Sequence, residues 1–358
     1  MKRIALLLLS IIALAGCKSA HINRAKVSQL KFLNEYVVPD SLVVGGTVVG
    51  GLSGIDYNAG ASYLICDDAF NPRYYKATIT VDNDKLSDIH FDEVHKITDT
   101  ANFLDMEGIR YNTGKKVVVI TSEGSIKRGI SPSLFTIDAN NDINKLKIPE
   151  MFSANSEQQP RNNGTLEGLS LSTDNKGYWI AMELPLKADG PEPAYEKADS
   201  PVRITYIDAK TGTPGKQFAY YLDPIVKRPE GDFAVNGVPD ILEYAKDRFF
   251  IIERAYSSGW GTQGNTVRIY EVDARKATNT LEMSCLKDKG FRPAVKTLLF
   301  DFESVRDQLT KHIVDNIEGI TFGPTLSNGH KSLILVSDNN FNQLGQQITQ
   351  FILFEIID

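Results

Sequence analysis

Cysteine and histidine are scarce in this chain, and their scarcity removes several chemistries at once. Three cysteines and five histidines are spread over 358 residues. His21, His90, His95, His312 and His330 show neither HExxH nor any other ligand spacing, so no zinc site is indicated. Gly-x-Ser-x-Gly does not occur, which removes the strand-to-helix nucleophile elbow. Positive charge is not in excess: 39 Lys and Arg face 45 Asp and Glu, a net charge of −6. There is no basic patch, and nucleic acid is not an expected partner. After Leu14 no run approaches the about 20 apolar residues that span a bilayer.

The one apolar run stands at the start. Lys2 and Arg3 precede Ile4 to Leu14, and Ala15 and Gly16 lead directly to Cys17. The order of charges, short apolar stretch and small residues predicts a signal peptide over 1–16. Leu14-Ala15-Gly16-Cys17 resembles the bacterial lipobox, in which the cysteine carries diacylglycerol. The alternative is an ordinary secretory signal with a chance cysteine. The lipid reading makes 17–29 a tether and places the protein on a bacterial envelope membrane. Lys18 does not look like the aspartate of inner-membrane retention, so the outer membrane is expected. Cys66 sits in an apolar run and reads as a buried thiol, and its pairing with Cys285 stays open.

A repeat organises the rest. Five copies begin Ser53-Gly54-Ile55, Glu107-Gly108-Ile109, Glu167-Gly168-Leu169, Asp240-Ile241-Leu242 and Glu318-Gly319-Ile320. Each runs into an Asn, Gly or Asp turn and then an apolar strand ending in acid, the last ending at Asp338. The pattern is that of a hairpin. Two further strands follow in most copies, Ser133 to Asp138 and Leu146 to Met151 in the second. The fifth copy stops after three strands, and Leu30 to Val38 can supply the fourth. The expected fold is an all-β propeller over 30–358, with five four-stranded blades closed by an N-terminal strand. Six blades remain open if an insertion hides a degenerate copy. Closure ties the chain ends together and removes open edges.

The repeat places the chemistry. Inner strands line the channel, so Glu107, Glu167, Asp240 and Glu318 should converge at one mouth. Asp67, Asp68, Glu123, Glu183, Glu253 and Asp338 should lie on the same face, one layer outward. Such acids cannot all stay ionised without partners. Either a hard cation such as Ca²⁺ neutralises them, or each caps its own blade or pairs with Arg73, Arg128 or Arg254. Phe70, Trp260 and Phe341 could wall the pocket.

The pattern resembles the family named for the esterase-like activity of phytase. The matching stretches are Asp105-Met106-Glu107-Gly108-Ile109, Thr121-Ser122-Glu123-Gly124-Ser125, Asn163-Gly164-Thr165-Leu166-Glu167-Gly168-Leu169, Ile252-Glu253-Arg254, Asn316-Ile317-Glu318-Gly319-Ile320 and Leu335-Val336-Ser337-Asp338-Asn339-Asn340-Phe341. Ser53 departs from the repeat acid in copy one, and Pro239-Asp240 stands for Glu-Gly in copy four. The resemblance implies phosphoester hydrolysis by an exported protein. The expected roles are Ca²⁺ ligation by Glu107, Glu167, Asp240 and Glu318, and base catalysis by Glu123 or Glu183. Arg73, Arg128, Arg254, Asn339 and Asn340 should hold a phosphorylated or ester small molecule, in a monomer. A carboxylic-ester or lactone hydrolase and a non-catalytic glycan- or protein-binding module are the alternatives on the same face.

Overall fold

The computed structural model describes residues 27–98, 103–287, 290–343 and 345–357. Residues 1–16, read above as a signal peptide, and Cys17 lie outside them. No helix among the described residues is long and apolar enough to cross a membrane.

Five sheets of the repeat type stand around one axis. Blade one runs Leu52–Asn58, Ala61–Cys66, Arg73–Asp82 and Lys85–Lys96 from the axis outward. Blade two is Met106–Asn112, Val117–Ser122, Ser133–Ile137 and Ile143–Leu146, and blade three is Leu166–Leu171, Gly177–Met182, Pro201–Asp208 and Thr213–Tyr221. Blade four is Ile241–Ala245, Arg248–Ser257, Asn265–Asp273 and Val295–Asp301, with one additional strand, Ala234–Gly237, on the far end of Arg248–Ser257. Blade five takes Asn316–Phe322, Ser332–Asp338 and Thr349–Ile357 from the C-terminal side and Gln29–Val38 from the N-terminal side. Leu30 faces Ile356 and Val38 faces Thr349, so the closing strand is antiparallel along its length. The ring therefore has five blades and the expected closure.

Local sequence explains the hairpins. Stretches such as Val117–Ser122 are β-branched and suit a pleated, packed surface. The turns bend through left-handed residues: Ala59 (φ 51°), Asn175 (φ 56°) and Asp247 (φ 58°). Ala59 and Asp247 stand in two-residue hairpin loops, whose twist such backbone matches, and Asn175 in a longer turn. In blade two the outer strand ends at Leu146, and Glu150–Phe152 forms a 3-10 turn in place of the expected strand through Met151. Pro149 opens that turn and brings no N–H to a ladder.

The core lies between neighbouring blades. Trp179 of blade three meets Phe249 of blade four edge-on at 5.1 Å and Phe218 of its own blade at 5.6 Å. Blades four and five close over Phe250, Phe302, Leu335 and Phe354, all fully buried. Cys66 is buried and Cys285 half-buried, and both are free thiols.

Candidate functional site

One pair in each blade fixes the geometry of the mouth. Ile55 faces Leu64, Ile109 faces Ile120, Leu169 faces Ile180, Ile241 faces Ile251 and Ile320 faces Leu335. Two residues before the inner member stand Ser53, Glu107, Glu167, Pro239 and Glu318. Three residues after the outer member stand Asp67, Glu123, Glu183, Arg254 and Asp338. Because the strands are antiparallel, both sets emerge at the same mouth. In blades one, two, three and five the inner residue sits on a β-bulge. In blade five the register passes from Ile317–Ser337 to Gly319–Val336 and leaves Glu318 unpaired; in blade one Ser53 is skipped likewise. A bulge re-aims the side chain it releases. The following glycine has a separate cause. A Cβ on Gly54 would lie 2.5 Å from the Glu107 carbonyl oxygen, and one on Gly319 would lie 3.0 Å from the Gly54 Cα. Glu-Gly thus combines an acid at the mouth with the close approach of adjacent inner strands.

Blade four is out of step by one residue, which corrects the expectation for Asp240. Gly168 approaches the Asp240 Cα as Gly54 approaches the Gly108 Cα, so Asp240 occupies the glycine position. Its carboxylate points into the channel axis, 1 % exposed, and does not line the mouth. It accepts hydrogen bonds from Arg110 Nη2 (2.9 Å) and from the N–H groups of Leu169 (3.1 Å) and Ile320 (3.0 Å). With its valences filled in this way it is a structural acid and not a metal ligand.

The other acids surround a bowl of about 780 Å³, lined among others by Asp67, Asp105, Glu107, Glu123, Glu167, Glu183, Glu318, Asp338 and Arg254. One carboxylate oxygen each from Asp105, Glu107 and Glu123 lie within 4.8 Å of one another. No described residue donates a hydrogen bond to the carboxylates of Asp105 or Glu107. Glu123 accepts from Gly164 N–H (2.9 Å) through Oε2 alone. Arg254 Nη2 donates to Glu318 (2.9 Å) and, more weakly, to Glu183 (3.4 Å). Asn316 also donates to Glu318 (2.9 Å). Blade four therefore presents a cation where every other blade presents an acid.

The family model for the phytase-like family, esterase-like activity of phytase, matches residues 47–341. The chain belongs to this family. No curated protein matches its sequence significantly. Among solved structures, a family-43 β-1,3-galactosidase bound to galactodeoxynojirimycin is similar at 9 % identity and a TM-score of 0.47, covering 89 % of this chain and 93 % of that one. A thermostable family-43 glycoside hydrolase matches at 10 % identity and a TM-score of 0.47, covering 88 % and 91 %. A luciferin-regenerating enzyme matches at 11 % and 0.42, covering 86 % and 92 %. These similarities concern architecture alone.

In this phytase-like chain the bowl holds its acids far from their ordinary behaviour. Burial, then Asp105, Glu167 and Glu123, push Glu107 well above the carboxylate range. Burial and Glu183 do the same to Glu167, and burial and Asp67 to Asp338. Glu123 and Asp67 are pushed up to about 8, first by burial and then by neighbouring carboxylates. Asp105 is pushed up to about 6 by burial. Glu318 rises to about 7 because burial outweighs the pull of Arg254. Glu183 is raised as well, with burial again exceeding Arg254. The acids cannot all ionise without added positive charge.

Several expected residues have other duties. Arg73 is buried and donates to Tyr75 Oη (2.7 Å), Asn71 O (2.9 Å) and Asp68 (3.0 Å) in a neighbouring cleft, which takes Arg73 and Asp68 out of the bowl. Arg128 is exposed and lies over Phe103 and Phe70, at 4.6 and 5.6 Å, so it does not reach the bowl either. Asn339 Oδ1 braces the loop by accepting from Gly51 and Phe341 N–H, both at 3.1 Å, whereas Asn340 does line the bowl. Glu253 lies one residue before the mouth position and points between blades three and four, where Lys296, Tyr220 and Asn236 bind it. Phe70 and Phe341 belong to the neighbouring cleft, and Trp260 ties its indole N–H to Arg228 O (2.8 Å). The bowl's apolar wall is instead Phe233, Val235 and Tyr256. Asp105 and this wall escaped the repeat pattern. Asp105 was visible only as the acid two residues before Glu107, and the wall only as an alternating Phe-Ala-Val.

Proposed function

We propose that this protein is a calcium-dependent ester hydrolase, acting on phosphoesters at the acidic bowl. The observation that carries this reading is the trio Asp105, Glu107 and Glu123, whose oxygens converge while two of the three carboxylates lack any described hydrogen-bond donor. Its all-oxygen donor set suits a hard cation such as Ca²⁺. Blade caps would be saturated, as Asp240 is; the trio is not. When bound, the cation supplies charge that polarises the ester and favours ionised water. Arg254, fixed by Glu318 and Glu183, is placed to orient an ester oxygen. Glu183, raised in pKa and outside the trio, is suited to exchange a proton with the attacking water or the leaving group.

The test is hydrolysis of phytate, an aryl phosphate and an aryl acetate by purified protein, with and without chelator. Activity should require calcium. Glu107→Gln, which keeps shape, should lower it by ~10–100-fold or more, the loss common when support for a metal site is removed. Chelator-resistant activity, or an unimpaired Glu107→Gln, would overturn the metal reading. Calcium binding with no hydrolysis of any ester would leave the bowl as a binding module.

The export reading belongs to the same proposal. Cys17→Ser should release the protein from membranes or leave an unprocessed precursor. A variant that fractionates and migrates like wild type would refute lipid anchoring.

A further inference from the structure

We infer that the substrate of the bowl is an ester of low charge whose apolar or aromatic part rests on Phe233, Val235 and Tyr256, and that phytate and other polyphosphates are not substrates. The inference rests on the proposed hydrolase reading and narrows its substrate class.

Charge is the first argument. The described lining residues carry four aspartates and six glutamates against one arginine. That arginine already serves Glu318 and Glu183. Glu192 on the rim is paired with Arg161 at 2.8 Å, so this outlying guanidinium is also engaged. Arg73, a candidate phosphate ligand by position, is locked in its own network. Each phosphate monoester brings about −1.5 to −2 charges. A cation on the trio can coordinate one such group. A polyphosphate would set its remaining groups against uncompensated carboxylates with no guanidinium to meet them.

The wall is the second argument, and it is independent of charge. Ala234–Gly237 is the one addition to the four-strand plan of blade four, and it pairs Val235 with Tyr256 at the mouth end of Arg248–Ser257. Immediately before it, Phe233 is held on both sides by Ser258: its N–H donates to Ser258 Oγ (3.0 Å) and its carbonyl accepts from Ser258 N–H (2.9 Å). Phe233 nevertheless remains 58 % exposed and lines the cavity, its ring 6.3 Å from that of Tyr256. A large apolar ring fixed by its backbone and left open beside a polar bowl is a surface for an apolar ligand group. The carboxylate trio comes from blade two and the wall from blade four, so an ester linking a small acyl or phosphoryl group to an apolar alcohol can address both.

The experiment compares calcium-loaded protein acting on an aryl phosphate, a short alkyl phosphate and phytate. Phytate should be turned over at least ~100-fold less efficiently than the aryl phosphate. Phe233→Ala should reduce the aryl-to-alkyl preference in kcat/KM by about tenfold, the scale of discrimination an apolar contact supports. Phe233→Leu, which restores apolar surface, should recover most of it. Phytate turnover equal to that of the aryl ester, or an unchanged preference in Phe233→Ala, would overturn the inference. If no ester is hydrolysed, the hydrolase reading fails by itself. Calorimetric titration of the calcium-loaded protein with aryl phosphate and with phytate then reads the same preference without turnover, and tighter phytate binding would overturn it.

Discussion

Asp240→Asn should destabilise the protein by about 3–5 kcal/mol, the usual result of leaving one member of a buried ion pair without its partner. For a chain of this length that is a fall of ~4–7 °C in melting temperature, taking ~2.1 cal/mol/K of unfolding entropy per residue. The size follows from what the pair joins. Arg110 is 1 % exposed and sits on the propeller axis. Its Nη1 donates to Ile55 O of blade one and to Ile109 O of its own blade, both at 2.7 Å. Its Nη2 donates to Ile241 O of blade four (3.1 Å) and Ile320 O of blade five (3.0 Å). Asp240 adds Leu169 N–H of blade three. One ion pair therefore bonds all five inner strands. Burial pushes the Asp240 carboxyl up, while Arg110 and the backbone N–H groups pull it back. An amide in place of this carboxylate would keep the volume and one acceptor but leave the guanidinium charge buried among carbonyls. Arg110→Met should cost a comparable amount. The double variant should be less damaging than the two single losses added together, because no isolated charge remains. It should still fall short of wild type, since the carbonyls and N–H groups of several blades lose their partners. Chemical denaturation of the three variants checks this. A loss below ~1 kcal/mol for Asp240→Asn, less than a typical buried hydrogen bond to a charged group, would show that the axis is held by strand packing alone.

The propeller was legible because five related hairpins recur along the chain, most of them followed by two further strands. The closing strand was legible because the fifth copy lacks its own fourth strand. The candidate site was only partly so, and the gaps have distinct physical causes. Glu107, Glu167 and Glu318 were found because each precedes a glycine that the crowded axis demands. Asp240 was misplaced because an acid stands where blade four lacks that glycine, and a one-residue shift carries a side chain from the mouth into the axis. Glu253 was misplaced by the same one-residue parity, and the same count turns Arg254 into the counterpart of Glu123 and Asp338. Arg73 and Arg128 were assigned from loop position, which says nothing about Tyr75, Asp68 or Phe103 waiting to engage them. Of the wall, Val235 lies on a strand added outside the repeat and Phe233 immediately before it, where the repeat offers no template.

Without calcium, the protein should lose stability as pH rises from about 5 to about 8, and calcium should reverse the trend. The sign follows from where each carboxyl gives up its proton. Asp105, Glu318, Asp67 and Glu123 hold their protons to about 6, 7, 8 and 8 in the folded chain. In the unfolded chain the same groups lose them near 4. Across that window the native state binds more protons than the unfolded state, so unfolding becomes easier as pH increases. Below about 4 both states are protonated and the dependence from these four groups vanishes; above about 8 they are ionised in both states and their share of the loss is complete. The fall between the ends should exceed ~1.4 kcal/mol, the worth of a tenfold change in the proton affinity of one carboxyl. Calcium requires ionised ligands, so it competes with these protons and expels them on binding. Its gain in melting temperature should therefore be small at about pH 5 and large at about pH 8, rising with free calcium by mass action. Calorimetry of calcium binding in two buffers of different ionisation enthalpy gives the protons released per ion. The release contributed by Asp105, Glu318, Asp67 and Glu123 should be largest near about pH 6 to 7 and decline above about 8, where these four lose their protons without calcium. Glu107→Gln removes one charge and one proton site from the trio, so it should flatten the pH dependence of the calcium-free protein and weaken the calcium response together. A calcium-free protein that gains stability across this pH range, or one whose melting ignores calcium at its alkaline end, would mean that the acids are neutralised within the protein itself and that the bowl is not a cation site.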